Sequence, residues 1–218
     1  MGPFLMNITS GEDHWMYLSS TGCLTAGRKK AEHALFPYVT DDLLHRNAHF
    51  TGPVTVIRIK EDDTNIVWRP FSHYEEPYET ERNLHKNSLG NIVLFEEINH
   101  SLGLTFIYEW RSSAKYGFIR KSQLVNHHSN VLNVELVDGL RNIMPDGVEL
   151  RAQQEMSNLA NAYKVSEYSP DSNCALFFMN ALVMDRPEPG ESLYSNLVWS
   201  YYNGEKIISV SEQDIDRF

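Results

Sequence analysis

The chain has 218 residues, of which 42% are hydrophobic and 22% charged, and its formal net charge is −10. A chain of this length buries roughly 70% of its unfolded surface, so it needs no disulfide or metal to hold a fold. The acidic balance argues against nucleic acid and against an anionic membrane surface as partners.

Short segments with β character dominate the first half of the sequence. Pro37 within Ala34–Val39 cannot donate a ladder hydrogen bond, which predicts an edge strand or an extended loop there. Ala26–Lys30 is polar and contains a glycine, so we expect a connecting segment at that point. The segments that predict strands by alternation or by β-branched content are Trp15–Leu18, Val54–Ile59 and Ile66–Trp68.

The middle of the sequence repeats one pattern, in which apolar runs are separated by short polar turns. A five-residue connection with a glycine, such as residues 99–103, is typical of a hairpin. Four strands joined in this way predict an antiparallel meander. The four runs are Ile92–Ile98, Leu104–Trp110, Phe118–Val125 and Val131–Val137.

One helix is predicted late in the chain. Residues 147–164 carry apolar side chains at a spacing near 3.6 and contain no proline after the Pro145-Asp146-Gly147 turn. The β pattern then resumes, and Asn203-Gly204 predicts a hairpin that leads into a last strand at Lys206–Val210. These elements together predict a mainly β, antiparallel fold with one helix late in the chain.

The histidines suggest no metal site. His45 and His49 are four residues apart, but the intervening residues lack the glutamate that a zinc protease uses as its base. His127 and His128 fall in a predicted turn, where histidines are usually solvated. We therefore expect no metal ligands among these pairs.

Nucleophile and phosphate-binding motifs are also absent from the sequence. Neither Gly-x-Ser-x-Gly nor Gly-x-x-x-x-Gly-Lys occurs, and no base lies beside Cys23. Cys23 and Cys174 have apolar neighbours, which predicts two buried thiols that pack as small hydrophobic groups. We expect no catalytic residue and no cofactor in this chain, and a cytoplasmic location, since the first six residues do not make a signal peptide.

The adjacent acidic residues are poor candidates for glycoside chemistry. Two catalytic carboxyl groups must face each other across a sugar, at roughly 5–10 Å. Neighbouring residues on a strand point to opposite faces, so Glu96 and Glu97 cannot both face one substrate. We expect one of them to be solvated and the other to have a partner.

The polar and aromatic segment Trp68–Tyr78 is the strongest candidate for a binding site. Aromatic faces stack on the apolar side of a sugar ring, and Arg, His and Glu side chains bond its hydroxyl groups. The alternative is that these rings only anchor a long loop to the sheet. The predicted carbohydrate-binding residues are Trp68, Arg69, His73, Tyr74 and Glu76.

Several segments resemble the opening of cellobiose-phosphorylase-like carbohydrate-active enzymes. The likeness covers roughly the first 150 residues. The segments that carry it are Leu24–Arg28, Ala34–Asp42, Leu84–Asn91 and Phe95–Leu104.

This resemblance implies a galactose-mutarotase-like β supersandwich that spans residues 1–218 and stands at the front of a larger protein. In such enzymes the sandwich packs on a helical (α/α)6 barrel, which holds the catalytic residues, and it helps the protein to form a homodimer. The resemblance therefore implies a non-catalytic domain that borders a carbohydrate site and lacks its helical partner here. A docking face left uncovered should be an exposed apolar patch.

Two other functions fit the same residues. A free-standing carbohydrate-binding module would have no uncovered docking face, and its site would lie along the Trp68–Tyr78 loop. A mutarotase-like sugar epimerase would need a base and an acid in one cleft, which His73 with Glu75 or Glu76 could supply.

Overall fold

The computed structural model of the chain describes residues 4–61, 64–74, 76–155, 157–181 and 194–218. Strands dominate these residues, and all strand pairs are antiparallel, so the predicted mainly β class is confirmed. The described strands are β1 (Leu5–Asn7), β2 (His14–Ser19), β3 (Leu24–Arg28), β4 (Ala34–Phe36), β5 (Gly52–Glu61), β6 (Thr64–Trp68), β7 (Thr80–Lys86), β8 (Ile92–Asn99), β9 (Leu104–Ser113), β10 (Gly117–Asn126), β11 (Asn133–Arg141), β12 (Lys164–Ser169), β13 (Cys174–Met179) and β14 (Asn196–Trp199).

The strands form four sheets in a sandwich-like arrangement. The sheets have the orders β1-β2-β3-β4, β10-β9-β8-β7, β11-β5-β6 and β12-β13-β14. The described α-helices are short: α1 (Asp41–Leu44), α2 (Leu150–Glu155), α3 (Ser157–Tyr163) and α4 (Gln213–Arg217). The 3-10 turn Ala31–His33 precedes β4, and the 3-10 turn His45–Asn47 follows α1.

The core lies between the inner faces of these sheets. Alternation on β8 places Val93, Phe95 and Glu97 inside, while the residues between them are half-exposed. Trp110 of β9 and Phe36 of β4 are also fully or almost fully buried and meet edge to face, with ring centroids 6.3 Å apart. Burying each such large apolar side chain contributes roughly 1.5–3 kcal/mol, so this layer is a main source of stability.

A partly buried ion pair joins two of the sheets. Arg120 of β10 donates two hydrogen bonds, of 2.7 and 2.8 Å, to the carboxylate of Asp138 on β11. Thr55 of β5 donates to the same carboxylate at 2.7 Å. Burial opposes the charge of Asp138, but Arg120 and the hydrogen bonds outweigh it and lower the pKa of this carboxyl group.

The predicted meander is correct for three strands and wrong for the fourth. β8, β9 and β10 follow one another in one sheet, but β11 crosses to pair with β5 in another. The fourth strand of the sheet that contains β8, β9 and β10 is β7, whose sequence Thr-Glu-Arg-Asn-Leu-His-Lys is too polar to predict a strand. The sequence also predicts a connecting segment at residues 26–30, but residues 26–28 belong to β3, whose first four residues are buried.

Two predictions for the second half of the chain need correction. The predicted helix at residues 147–164 is in place, but the structure has two short helices, α2 and α3, and residue 164 begins β12. The expected hairpin at Asn203-Gly204 is wrong, because residues 206–210 do not form a strand. The chain instead ends in α4, where the Phe218 ring lies 4.3 Å from the guanidinium of Arg58 on β5.

Candidate functional site

The predicted carbohydrate-binding residues lie at one loop. Residues 69–79, called the site loop, connect β6 to β7, and residue 75 within them lies outside the described residues. Trp68 is the last residue of β6, and Arg69, His73, Tyr74 and Glu76 follow on the loop. The sequence prediction therefore placed these residues in one segment, but the structure gives them different surroundings.

A buried carboxylate on β8 holds the base of the site loop. Glu97 is 1% exposed and accepts hydrogen bonds from the indole Nε1 of Trp68 at 2.9 Å and from the backbone N–H of Phe71 at 2.7 Å. Arg82 of β7 forms an ion pair with Glu97 at 2.7 Å and also donates to the carbonyl of Ser72 at 2.8 Å. Three donors, one of which is the positively charged Arg82, compensate the burial of this carboxylate.

Three aromatic side chains of the segment anchor the loop. Trp68 is completely buried, so its indole offers no exposed face to a sugar. Phe71 is half-buried and lies edge-on to Tyr108, with ring centroids 5.1 Å apart. The hydroxyl of Tyr78 donates to the carbonyl of Val67 at 2.8 Å. These three rings therefore anchor the long loop to the sheets, as the alternative interpretation of the sequence predicts.

The tip of the site loop meets an upstream segment in a cluster of exposed rings. His73 lies against His49, with ring centroids 4.4 Å apart and planes at 65°. Tyr74, which is 75% exposed, lies 5.4 Å from His49, and Phe50, which is 68% exposed, lies 6.4 Å from it. We call His49, Phe50, His73 and Tyr74 the aromatic cluster.

The charges near the aromatic cluster are perturbed by their surroundings. Partial desolvation lowers the pKa of His73, and the neighbouring His49 and Arg82 lower it further, which favours the neutral imidazole. Burial raises the pKa of Glu76, although the backbone N–H of Arg69 donates to this carboxylate at 3.3 Å. A neutral imidazole can both donate and accept a hydrogen bond, as recognition of a hydroxyl group requires.

The aromatic cluster brings rings from two segments of the chain together at the surface. Exposed rings from two segments supply a surface for stacking, and Arg69 is exposed on the same loop. Sequence reasoning missed His49 and Phe50, which lie some twenty residues before the loop. The spacing of His45 and His49 raises only the question of a metal site. The signal for a surface cluster is the adjacent aromatic pair His49-Phe50.

Among the residues that the structure describes, the aromatic cluster includes neither a group of metal ligands nor a pairing of His73 with Glu76. Within the described residues no group of three or more His, Cys, Asp or Glu side chains could hold a metal ion. His73 contacts His49 in the described chain, whereas no hydrogen bond or ion pair joins it to Glu76. Glu75, the other acid considered for an epimerase, lies outside the described residues.

The two turn histidines brace the β8–β9 hairpin. The Nε2 of His127 lies 2.8 Å from the hydroxyl of Thr105, and the Nε2 of His128 lies 2.8 Å from the carbonyl of Leu102. These contacts give both rings a structural role, while the residues themselves remain exposed.

The two cysteines differ from each other. Cys23 is completely buried, and burial raises the pKa of its thiol to about 12, so it is an inert packing group as predicted. Cys174 is only half-buried and is the first residue of β13. The prediction of a buried thiol is therefore confirmed for Cys23 and does not hold fully for Cys174.

The sheet formed by β12, β13 and β14 has an apolar face directed away from the core. Its inner residues Ala175, Phe177 and Met179 are buried. Alternation places the side chains between them on the opposite face, which we call the outer face. The apolar side chains there are Val165, Leu176, Phe178, Leu197 and Trp199.

The outer face is exposed and carries little charge. Leu197 is 52% and Trp199 is 47% exposed, and the half-exposed Tyr116 lies 5.8 Å from the Trp199 ring. Glu167 is the one charged side chain among the described positions of this face. The sheet therefore presents a contiguous apolar surface that is unlike the acidic composition of the chain as a whole.

None of the helices in the described parts of the chain is long and apolar enough to cross a bilayer. Comparison with known proteins finds no family model that matches this sequence and no curated protein that matches it at a significant level.

Proposed function

We propose that this chain is a non-catalytic accessory domain of a carbohydrate-active enzyme. It docks on a helical catalytic domain and borders the sugar site of the assembled protein. The observation that carries the proposal is the outer face of the β12–β14 sheet, together with the resemblance of the first 150 residues to galactose-mutarotase-like sandwiches of glycoside phosphorylases.

The composition of the outer face favours a permanent partner over solvent. Leu197 and Trp199 stand on β14 at an edge of their sheet, and Leu176 and Phe178 continue the surface onto β13. Aromatic and aliphatic side chains with a single carboxylate resemble the centre of an interface, where charged residues are depleted. Burying such a surface contributes roughly 25 cal/mol per Å² of apolar area, so leaving it in water is costly.

A helical partner suits this surface. An amphipathic helix packs an apolar stripe against the flat face of a sheet, and a helical barrel presents several such stripes side by side. The acidic chain would then meet its partner through the part of its surface where repulsion between like charges is smallest. A second copy of the chain could meet the same face, which is the homodimer that the resemblance implies.

Affinity purification from cells that naturally make the protein tests the docking proposal. We expect the tagged wild-type chain to retain a helical catalytic domain of a sugar-processing enzyme as a non-covalent complex. The double variant Leu197→Ser/Trp199→Ser should lose this partner, whereas Val131→Ser, at a 97% exposed position between β10 and β11, should keep it. Retention of the same partner by the double variant would contradict the proposal.

The aromatic cluster supports a second candidate, in which the chain itself binds carbohydrate. Tyr74 and Phe50 are exposed rings of the kind that stack on sugars. His73 contacts His49 in the same cluster, and Arg69 is exposed on the same loop as a further hydrogen-bonding group. Calorimetry with a panel of mono- and disaccharides tests this function. Saturable heat that Tyr74→Ala abolishes and Tyr201→Ala leaves unchanged would support it, since Tyr201 is an 89% exposed ring elsewhere in the chain.

A further inference from the structure

Three places in the sequence have a glycine directly after an asparagine or an aspartate. At such a pair the backbone nitrogen of the glycine can attack the side-chain carbonyl carbon before it, because no Cβ on the glycine crowds the approach. The pairs are Asp138-Gly139, Asp146-Gly147 and Asn203-Gly204, of which the last is the one Asn-Gly pair in the sequence. The fold decides how freely the two groups of each pair can meet.

The pair Asp138-Gly139 is held within a sheet. Both residues belong to β11, which pairs with β5 along this stretch. The carboxylate of Asp138 also accepts hydrogen bonds from Arg120 and Thr55. Attack by the nitrogen of Gly139 would require the strand to leave its ladder and the carboxylate to leave these donors, so the fold protects this pair.

The pair Asp146-Gly147 is held by two hydrogen bonds. The backbone N–H of Gly147 donates to the carbonyl of Glu32 at 2.9 Å. The carboxylate of Asp146 lies 3.1 Å from the Nδ1 of His33. The attacking nitrogen and the carboxyl group that it would attack are therefore both engaged elsewhere.

The pair Asn203-Gly204 is not held in this way. Both residues are exposed, and the chain bends at them outside any helix or strand. Neither the amide of Asn203 nor the N–H of Gly204 has a hydrogen-bond partner among the residues that the structure describes. The contacts of this segment lie on either side, where the carbonyl of Ser200 accepts from Asn173 at 3.1 Å and Val210 packs against the core.

We propose that Asn203 is a site of spontaneous deamidation. The backbone nitrogen of Gly204 gives its proton to hydroxide and bonds to the Cγ of Asn203, and the Cγ–Nδ2 bond breaks as ammonia leaves with a proton from water. Water then opens the cyclic imide. Cleavage of the bond to Cγ gives aspartate, and cleavage of the bond to the backbone carbonyl carbon gives isoaspartate.

Both products change the charge of the surface that follows β14. A carboxylate replaces a neutral amide, so the formal net charge of −10 becomes more negative by one unit. Isoaspartate also adds one carbon to the main chain at the bend. The site rests on the surroundings of the three pairs and is independent of the proposed docking and sugar-binding functions.

Peptide mapping by mass spectrometry, after incubation of the folded whole chain at mildly alkaline pH, tests the proposal. Asp146→Asn is the matched variant, because it creates a second asparagine-glycine pair whose N–H still donates to Glu32. A protected pair reacts only in the fraction of molecules that is locally open, so we expect position 203 to convert at least about tenfold faster than position 146. In urea the two positions should convert at comparable rates.

Gly204→Ala tests the route of the reaction. The added Cβ crowds the attacking nitrogen and should slow conversion of Asn203 by about tenfold. This Cβ would lie 2.6 Å from a ring carbon of Tyr202, but that side chain is 64% exposed and can turn away, so the variant should fold. Methyl transfer to the product by purified isoaspartyl methyltransferase distinguishes isoaspartate from aspartate, and we expect both to form.

Four results would overturn the proposal. They are no conversion of Asn203 in the folded chain, equal rates at positions 203 and 146 in the folded Asp146→Asn variant, a difference between these positions that persists in urea, and an unchanged rate in Gly204→Ala. The first refutes the site, the next two refute selection by the fold, and the last refutes attack by the Gly204 nitrogen. Docking and sugar binding are measured separately, so their failure would leave this site standing.

Discussion

The indole nitrogen of Trp68 donates a 2.9 Å hydrogen bond to Glu97, a residue 29 positions later in the chain. This bond ties the end of β6 to the inner face of β8, where Phe71 and Arg82 reach the same carboxylate. Glu97 therefore organises the base of the site loop. The tip of the loop, with His73 and Tyr74, is exposed.

Replacing Glu97 should be far more costly than replacing its neighbour Glu96. Glu97→Ala leaves the N–H of Trp68 and the guanidinium of Arg82 without their partner, which should lower the free energy of unfolding by roughly 3–5 kcal/mol. Glu96 is half-exposed on the opposite face, so Glu96→Ala should cost about 0.5 kcal/mol. Urea denaturation measures both values, and equal losses for the two variants would refute the role given to Glu97.

The proximity of two imidazoles should be visible in the titration of His73. Because partial desolvation, His49 and Arg82 lower the pKa of His73, its proton should leave below the ordinary value of 6.5. His49→Ala removes one of these causes and should raise the pKa of His73, whereas Phe50→Ala should leave it nearly unchanged. Proton resonances of the imidazole ring followed against pH measure the shift, and a pKa that falls in His49→Ala would be the contrary result.

The same shift has a consequence for stability. Below pH 6.5 the unfolded chain binds the His73 proton more readily than the folded chain, so protonation favours unfolding as the pH falls. Burial, and after it the charge of Arg28, lowers the pKa of His14 as well. Protonation of His14 therefore also favours unfolding as the pH falls. We expect His73→Gln to reduce the loss of stability between pH 7 and the folded pKa, measured as the urea midpoint at each pH. A wild-type-like pH dependence in this variant would count against the assignment.

The ion pair between the sheets should be a strong determinant of stability. Arg120→Ala leaves the partly buried carboxylate of Asp138 without its ion pair and should cost roughly 2–3 kcal/mol. Arg111 lies on the adjacent strand, faces outward and is 41% exposed, so Arg111→Ala should cost about 0.5 kcal/mol. Thermal unfolding of both variants gives the comparison, and similar melting temperatures would show that the Arg120 pair contributes little.

Gly22 marks a close approach between a turn and the core. Its φ is +89°, and a Cβ atom added there would lie 2.9 Å from the hydroxyl oxygen of the buried Tyr108. We expect Gly22→Ala to destabilise the chain by about 2 kcal/mol. Gly139→Ala is the control, since a Cβ at that position of β11 meets no atom within 4 Å. Equal stability of the two variants would contradict this account of the turn.

The alternation of apolar and polar residues predicts many of the strands correctly. The apolar runs of β8, β9 and β10 predict strands because they must bury one face, and the opposite facing of Glu96 and Glu97 follows from the same alternation. The partner of β11 could not be predicted in this way, because a short turn does not determine which strand pairs with which. β7 was missed because three of its seven residues are charged, and its pairing with β8 depends on tertiary contacts such as the Arg82–Glu97 ion pair.

The candidate site was harder to predict than the fold, for a physical reason. Trp68 and Tyr74 are both aromatic residues near one polar loop, and composition alone cannot distinguish a buried ring from an exposed one. The difference arises from Glu97, which draws the Trp68 indole inward, and from His49, which lies beside Tyr74 at the surface. Both partners are more than twenty residues away in the sequence, so only the folded chain brings them to the loop.

Site-specific crosslinking tests the central proposal, that the outer face of the β12–β14 sheet docks on a helical catalytic domain. A photo-crosslinking amino acid in place of Trp199 would be activated in cells that naturally make the protein, with the same amino acid in place of Val131 as the control. We predict a crosslink from position 199 to the helical catalytic domain of a carbohydrate-active enzyme, identified by mass spectrometry, and none to that domain from position 131. Absence of that crosslink from position 199, in a chain shown to be folded, would contradict the docking proposal.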